Sequence, residues 1–180
     1  MKKAILTAVF ALMSVAGVYA QNYYGRSSSL YGTSSSVQTR ASVNDQYLNN
    51  SLYTGASPYS CSSCYGSESS ITVKTSSQSG SDVVVMVKRG GVLVKNAYIK
   101  AGGSYTFNLP NGQYQVFFYG GRGWNPNKVM PNGARGGFVD NESYSKDDPT
   151  NLEYQGLTYE LISRPNGNFS TKQCRASEIF

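Results

Sequence analysis

Histidine is absent from this 180-residue chain, and that excludes much chemistry at once. No imidazole can serve as general base, zinc ligand or pH sensor. Charge is also sparse. Only 14% of residues are Asp, Glu, Lys or Arg, too few for a coiled coil, which is built on Glu, Lys and Leu. There is one tryptophan and there are three cysteines, whereas glycine (19) and tyrosine (15) are abundant. Past the first twenty residues no segment is apolar enough to span a bilayer.

Those first twenty residues carry an export pattern. Lys2 and Lys3 form a charged start, Ala4–Val18 is an uncharged run, and Val18-Tyr19-Ala20 offers small or tolerated residues at a cut after Ala20, with Ala16 as the alternative. The run is short for a membrane anchor, and Gln21-Asn22 follow it directly. A secreted, periplasmic or outer-surface location is expected. Residues 21–180 hold 14 basic against 10 acidic residues, a net +4, too modest to imply a nucleic-acid partner. The charge is uneven. Residues 71–135 hold eight basic residues and one acidic, Asp82, while 136–180 hold four basic and seven acidic.

Residues 21–53 read as a flexible leader rich in Ser and Tyr, because so few aliphatic side chains cannot offset chain entropy. Tyr47, Tyr53, Tyr59 and Tyr65 recur every six residues, a spacing that would align them on one face of an extended chain. From residue 54 a β domain is expected, with strands from about 70. Ile71–Thr75 alternates, Val83–Val87 is a β-branched run closed by Gly90-Gly91, and Val92–Lys100 follows. Ser104–Leu109 and Gln113–Tyr119 flank Pro110-Asn111-Gly112 and predict a hairpin. In the second strand, Phe117 and Tyr119 oppose Tyr114, Val116 and Phe118, which predicts cover on both faces. Gly120–Gly137 reads as a long loop, Phe138-Val139 as the start of a short edge strand, and Asp148-Pro149 as a helix start. Leu157, Tyr159 and Leu161 mark another strand, and Phe169–Thr171 a final short one. Six or seven short strands predict a single antiparallel all-β sandwich.

The run Ala97–Gly120, with Leu109-Pro110-Asn111-Gly112-Gln113-Tyr114-Gln115-Val116 at its centre, resembles the prealbumin-like strand pair of carboxypeptidase-regulatory-like modules. That resemblance implies the sandwich fold and an accessory role. Thr54–Tyr59, Gly123–Lys128, Gly136–Val139, Leu157–Leu161 and Asn166–Lys172 together resemble an uncharacterised family of secreted bacterial proteins. That likeness implies a boundary near Thr54 and no mechanism.

Three segments stand out as candidate sites. Cys61-Ser62-Ser63-Cys64 is expected to form a structural disulfide after export. A redox role would need a helix or base to lower the thiol pKa, and zinc would need ligands that only Cys174 could supplement. Cys174 itself could be free, pair between chains, or displace a partner of that bridge. In Gly120–Lys128, glycines admit a ligand, Tyr119 and Trp124 offer stacking faces, and Arg122, Asn125 and Lys128 offer polar contacts. The opposing reading buries Trp124 as a plug of the sandwich. Asp140, Glu142, Asp147 and Asp148 offer oxygens to calcium, without an EF-hand spacing. No G-x-S-x-G elbow occurs, although a Ser–Lys dyad stays open. The expected function is therefore a non-catalytic interaction module without a cofactor, binding a protein or glycan. The alternatives are a structural spacer, or a hydrolase or thiol-redox protein.

Overall fold

The computed structural model describes residues 45–62, 64–161 and 171–180. The export segment, residues 21–44 of the leader, the turn at Arg164–Gly167 and the Phe169-Ser170 part of the last expected strand lie outside the described residues.

The fold is an all-β sandwich. Nine strands are described: β1 (Ser69–Thr75), β2 (Asp82–Arg89), β3 (Val92–Ile99), β4 (Ser104–Leu109), β5 (Gly112–Val129), β6 (Arg135–Lys146), β7 (Thr150–Leu152), β8 (Gly156–Leu161) and β9 (Lys172–Gln173). A short helix, α1 (Ala176–Ile179), closes the described chain. One sheet has the order β4-β1-β8, and the other β3-β2-β5-β6-β9 with β7 paired to the start of β5. All pairs are antiparallel except β1 with β8, which run parallel.

The alternating side chains of the two sheets meet in the first core. Ile71 and Val73 of β1, Val85 and Val87 of β2, Phe107 and Leu109 of β4, and Val116 and Phe118 of β5 are all buried there. The expected β4–β5 hairpin is not formed. Pro110-Asn111-Gly112 instead carries the chain from one sheet to the other, so Leu109 and Tyr114 face the same core from opposite walls. The break between the two strands was read correctly, but the expected tight turn is only a bend at Asn111, with strand resuming at Gly112. What local sequence cannot state is whether the next strand stays in the same sheet or joins the other one.

The large sheet is covered on its second face too, as the apolar content on both sides of β2 and β5 predicts. Val84 and Met86 of β2 and Phe117 and Tyr119 of β5 point into a second core. Its lid is irregular. Residues 45–53, expected to belong to the leader, pack here with residues 54–59. Leu52 lies against this core, and Ala56 and Tyr59 are buried in it. This segment runs beside β3: the Gly55 N–H donates to the Tyr98 carbonyl (2.8 Å), and the Tyr98 N–H to the Ala56 carbonyl (2.7 Å). Asn96 grips it from below, accepting from the Tyr59 N–H (3.1 Å) and donating to the Tyr59 carbonyl (2.7 Å). The evenly spaced tyrosines do not share a face, since Tyr59 is buried while Tyr53 and Tyr65 are exposed.

Two more expectations change. The supposed loop Gly120–Gly137 is mostly strand: β5 continues to Val129 and turns into a 12-residue β6. Five of its six glycines sit in close contacts, and Gly133, with φ of 80° and open space around it, shapes the turn. A Cβ on Gly121 would lie 2.4 Å from Cβ of Phe138. No helix starts at Asp148-Pro149. Those residues lead into β7, which β5 recruits through Gly112–Tyr114. No helix among the described residues is long and apolar enough to cross a membrane.

Candidate functional site

The five residues expected to form a ligand loop do not form one. Trp124 is only 3% exposed. Its ring meets Tyr98 and Phe138 edge-on, at centroid distances of 5.5 and 5.4 Å. Its backbone is pinned by Asn50, whose carbonyl accepts from the Trp124 N–H (2.8 Å) and whose Nδ2 donates to the Trp124 carbonyl (2.7 Å). Gly136 leaves room for the indole, because a Cβ there would lie 2.6 Å from its Cζ2. Trp124 therefore fastens the β5–β6 hairpin to the second core, and its face is closed to ligands.

Tyr119 and Lys128 are drawn into an internal network around Glu142. The Tyr119 ring is buried and stacks on Tyr144 at 5.0 Å. Its hydroxyl donates to Glu142 and accepts from the Phe138 N–H (2.7 Å). Lys128 Nζ donates to the Phe138 carbonyl (2.6 Å) and pairs with Glu142, and the Tyr144 hydroxyl donates to the same carboxylate (2.9 Å). Burial, and then the hydrogen bond to Glu142, push the Tyr119 hydroxyl well above the ordinary tyrosine pKa. Asn125 is buried and accepts from the Asn127 N–H (2.8 Å), shaping its own strand. Only Arg122 is exposed. It lines a small cleft of about 210 Å³ with Leu48, Asn49, Asn50, Ser51 and Asp82. The Asp82 carboxylate there is already engaged by the Tyr98 hydroxyl and the Ala101 N–H.

The other expected sites disperse as well. All three cysteines are free. Cys61 is exposed while Cys64 turns inward, its sulfur 3.9 Å from the Tyr114 hydroxyl, so the expected bridge is not made. Cys174 packs against the second core, and burial raises its thiol pKa. The four carboxylates considered for calcium each answer to a different partner. Asp140 accepts from Asn141, Glu142 from the tyrosine network, Asp147 from the Tyr159 hydroxyl (2.8 Å), and Asp148 from Lys172 (2.7 Å). Among the described residues, no group of three or more His, Cys, Asp or Glu is placed to hold a metal ion.

What the fold does assemble is an open groove of about 640 Å³ beside the second core. Met86, Leu93, Ile179 and Phe180 give it an apolar floor. The β5–β6 turn walls one side through Asn132–Arg135. Lys88 and Arg135 are the charged residues lining it. Lys88 Nζ donates to the Glu178 carbonyl (3.1 Å) and lies 4.9 Å from the Phe117 ring centroid, and burial lowers its pKa. Arg135 is exposed. These residues come from β2, β3, the β5–β6 turn and α1, so no local sequence pattern announced them. The one signal available was the uneven charge, with basic residues concentrated before residue 136.

No known protein family, curated protein or solved structure matches the chain.

Proposed function

We propose that this chain is an exported, non-catalytic binding module that takes a segment of a partner protein into the groove between β3, the β5–β6 turn and α1. The observation that carries this reading is the pairing of an apolar floor with a rim whose charged residues, Lys88 and Arg135, are both basic. Such a recess suits a bulky apolar side chain flanked by carboxylates: the floor rewards desolvation and the rim selects charge. Export rests on the pattern of Lys2, Lys3 and Ala4–Ala20.

Selection from a displayed library of random peptides tests the proposal. Enrichment of acidic peptides with a large apolar residue is expected, with binding lost in Arg135→Glu while the melting temperature holds. Failure to enrich any peptide, or binding indifferent to Arg135→Glu, overturns it.

A second reading, a spacer with no ligand of its own, is favoured by the burial of Trp124, since the chain's only tryptophan then serves folding. It predicts that no peptide is enriched at all.

A further inference from the structure

The turn Pro110-Asn111-Gly112 gathers features that folding alone does not explain. Tyr154 has φ of 49°, a left-handed conformation. The other described non-glycine residue with positive φ is an asparagine, Asn141, whose short side chain tolerates it. A bulky aromatic residue there is strained. Packing does not repay the strain, because Tyr154 is 76% exposed. Glycine or asparagine would hold the same backbone more easily.

The neighbourhood nevertheless fixes Tyr154 in place. Asn111 Oδ1 accepts from the Tyr154 N–H and from the Ser69 hydroxyl, both at 2.8 Å. Ser69 Oγ in turn accepts from the Gln155 N–H (3.3 Å), and the Gln155 carbonyl from the Ser70 N–H (3.0 Å).

A second exposed tyrosine has both of its chain neighbours at the same turn. Tyr65 is 85% exposed. It is flanked by Cys64, which lies against Tyr114, and by Gly66, where a Cβ would come within 2.7 Å of Cβ of Pro110. The Tyr114 hydroxyl donates to the Pro110 carbonyl (2.8 Å), which ties that flank to the turn. Two exposed charged residues complete the corner. Glu68 Oε2 would lie 2.6 Å from the same Gly66 Cβ, and Arg89 Nη2 would lie 3.0 Å from a Cβ on Gly112.

We infer that this corner binds carbohydrate, with Tyr65 and Tyr154 stacking on the apolar faces of pyranose rings while Arg89 and Glu68 hydrogen-bond their hydroxyls. Both side chains are largely exposed, so a flat ligand fits them better than a side chain needing a pocket. A pyranose offers such a flat apolar face, edged by hydroxyls that both donate and accept. Arg89 supplies donors and Glu68 acceptors. None of these residues lines the peptide groove. The two sites therefore stand or fall separately.

An array of immobilised pyranose oligosaccharides, probed with the purified protein, tests the inference. Capture is expected, with Tyr65→Ala and Tyr154→Ala each weakening it roughly tenfold. Tyr53→Ala, at an exposed tyrosine bonded near β3, should leave capture unchanged. Tyr154→Gly should raise the melting temperature by relieving φ, yet lose capture, an outcome a structural role would reverse. Capture of no oligosaccharide, tyrosine variants that bind like the unaltered protein, or a lower melting temperature in Tyr154→Gly would overturn it.

Discussion

The two faces of the large sheet are built from different materials. The core between the sheets is mainly aliphatic, filled by Ile71, Val73, Val85, Val87, Val94, Ile99, Leu109, Leu157 and Leu161. The core on the outer face is mainly aromatic, with Tyr59, Tyr98, Phe117, Tyr119, Trp124 and Phe138 around Met86 and Met130. Regular strands on both sides enclose the first. The second lies under a lid of coil, hairpin and a four-residue helix, and such a lid leaves polar backbone near the interior. Tyrosine suits that boundary, because its ring buries area while its hydroxyl reaches a partner. Tyr59 donates to the Gly136 carbonyl (2.9 Å), Tyr98 to Asp82 and Tyr119 to Glu142. The inner core also ties two tyrosine hydroxyls, Tyr114 to the Pro110 carbonyl and Tyr159 to Asp147, but most of its side chains are aliphatic and hold by shape, whereas rings with directed hydrogen bonds make up much of the outer core.

If that contrast is right, the largest loss comes from removing the ring that fastens the lid. Trp124→Ala should cost about 3–5 kcal/mol, the range for emptying a buried aromatic site. Denaturant unfolding measures it. Leu109→Ala in the other core should cost about 2–5 kcal/mol by the same principle, but without disturbing peptide capture. A Trp124→Ala protein as stable as the parent would show that the second core is a loose cover.

A smaller effect should separate the cores by chemistry. Asn96→Ala removes both hydrogen bonds to the Tyr59 backbone and leaves that buried N–H without a partner. The expected cost is about 1–3 kcal/mol. The loss should be local, so hydrogen exchange should rise in residues 54–62 and not in β1 or β4. Uniform acceleration across both sheets would mean that the lid and the sandwich unfold as one unit.

Alkali offers a graded version of the same test. Tyr59, Tyr98, Tyr119 and Tyr144, all in or against the outer core, have pKa values raised above the ordinary 10.0, with burial as the largest cause. In the inner core, Tyr159 is raised in the same way, burial first and Asp147 second. The folded chain holds these protons more tightly than the unfolded chain. Their stabilising contribution is thus complete below pH 10 and is lost as pH rises from there towards the folded values. Melting temperature should fall steadily above about pH 10, the ordinary tyrosine pKa. Tyr119→Phe should flatten that fall, and a slope unchanged by the variant would remove Tyr119 from the account.

Alternation made the first core legible. Ile71-Thr72-Val73 and Leu157, Tyr159 and Leu161 put their apolar members on one face, as a strand requires. The double-sided burial of Phe117 and Tyr119 was legible for the same reason. The second core was not, because it depends on where the β5–β6 hairpin folds back. Six glycines between 120 and 137 look like looseness in sequence. In the fold, Gly121 and Gly136 are contact points that Phe138 and Trp124 occupy. Composition cannot tell a glycine that frees the chain from one that clears space. Trp124 carried two readings in sequence, ligand contact or buried plug, and the structure bears out the second. Lys88 and Arg135, 47 positions apart in sequence, meet only because β2 and the β5–β6 turn flank one groove.

The smallest effect concerns the cysteines, which sample all three environments. Cys64 belongs to the inner core, Cys174 packs on the outer one, and Cys61 is in solvent. As free thiols they should behave as their surroundings dictate. Alkylation of the folded protein should modify Cys61 first, because its thiol is exposed, with Cys64 and Cys174 protected until the chain opens. Cys61→Ser should change stability by no more than about 0.5 kcal/mol, as expected of a surface site. Cys64→Ser places a hydroxyl in the inner core and should cost more. A Cys61–Cys64 bridge would instead block alkylation at both positions and make melting sensitive to reductant, and the inner core would then be held by a covalent tie as well as by packing.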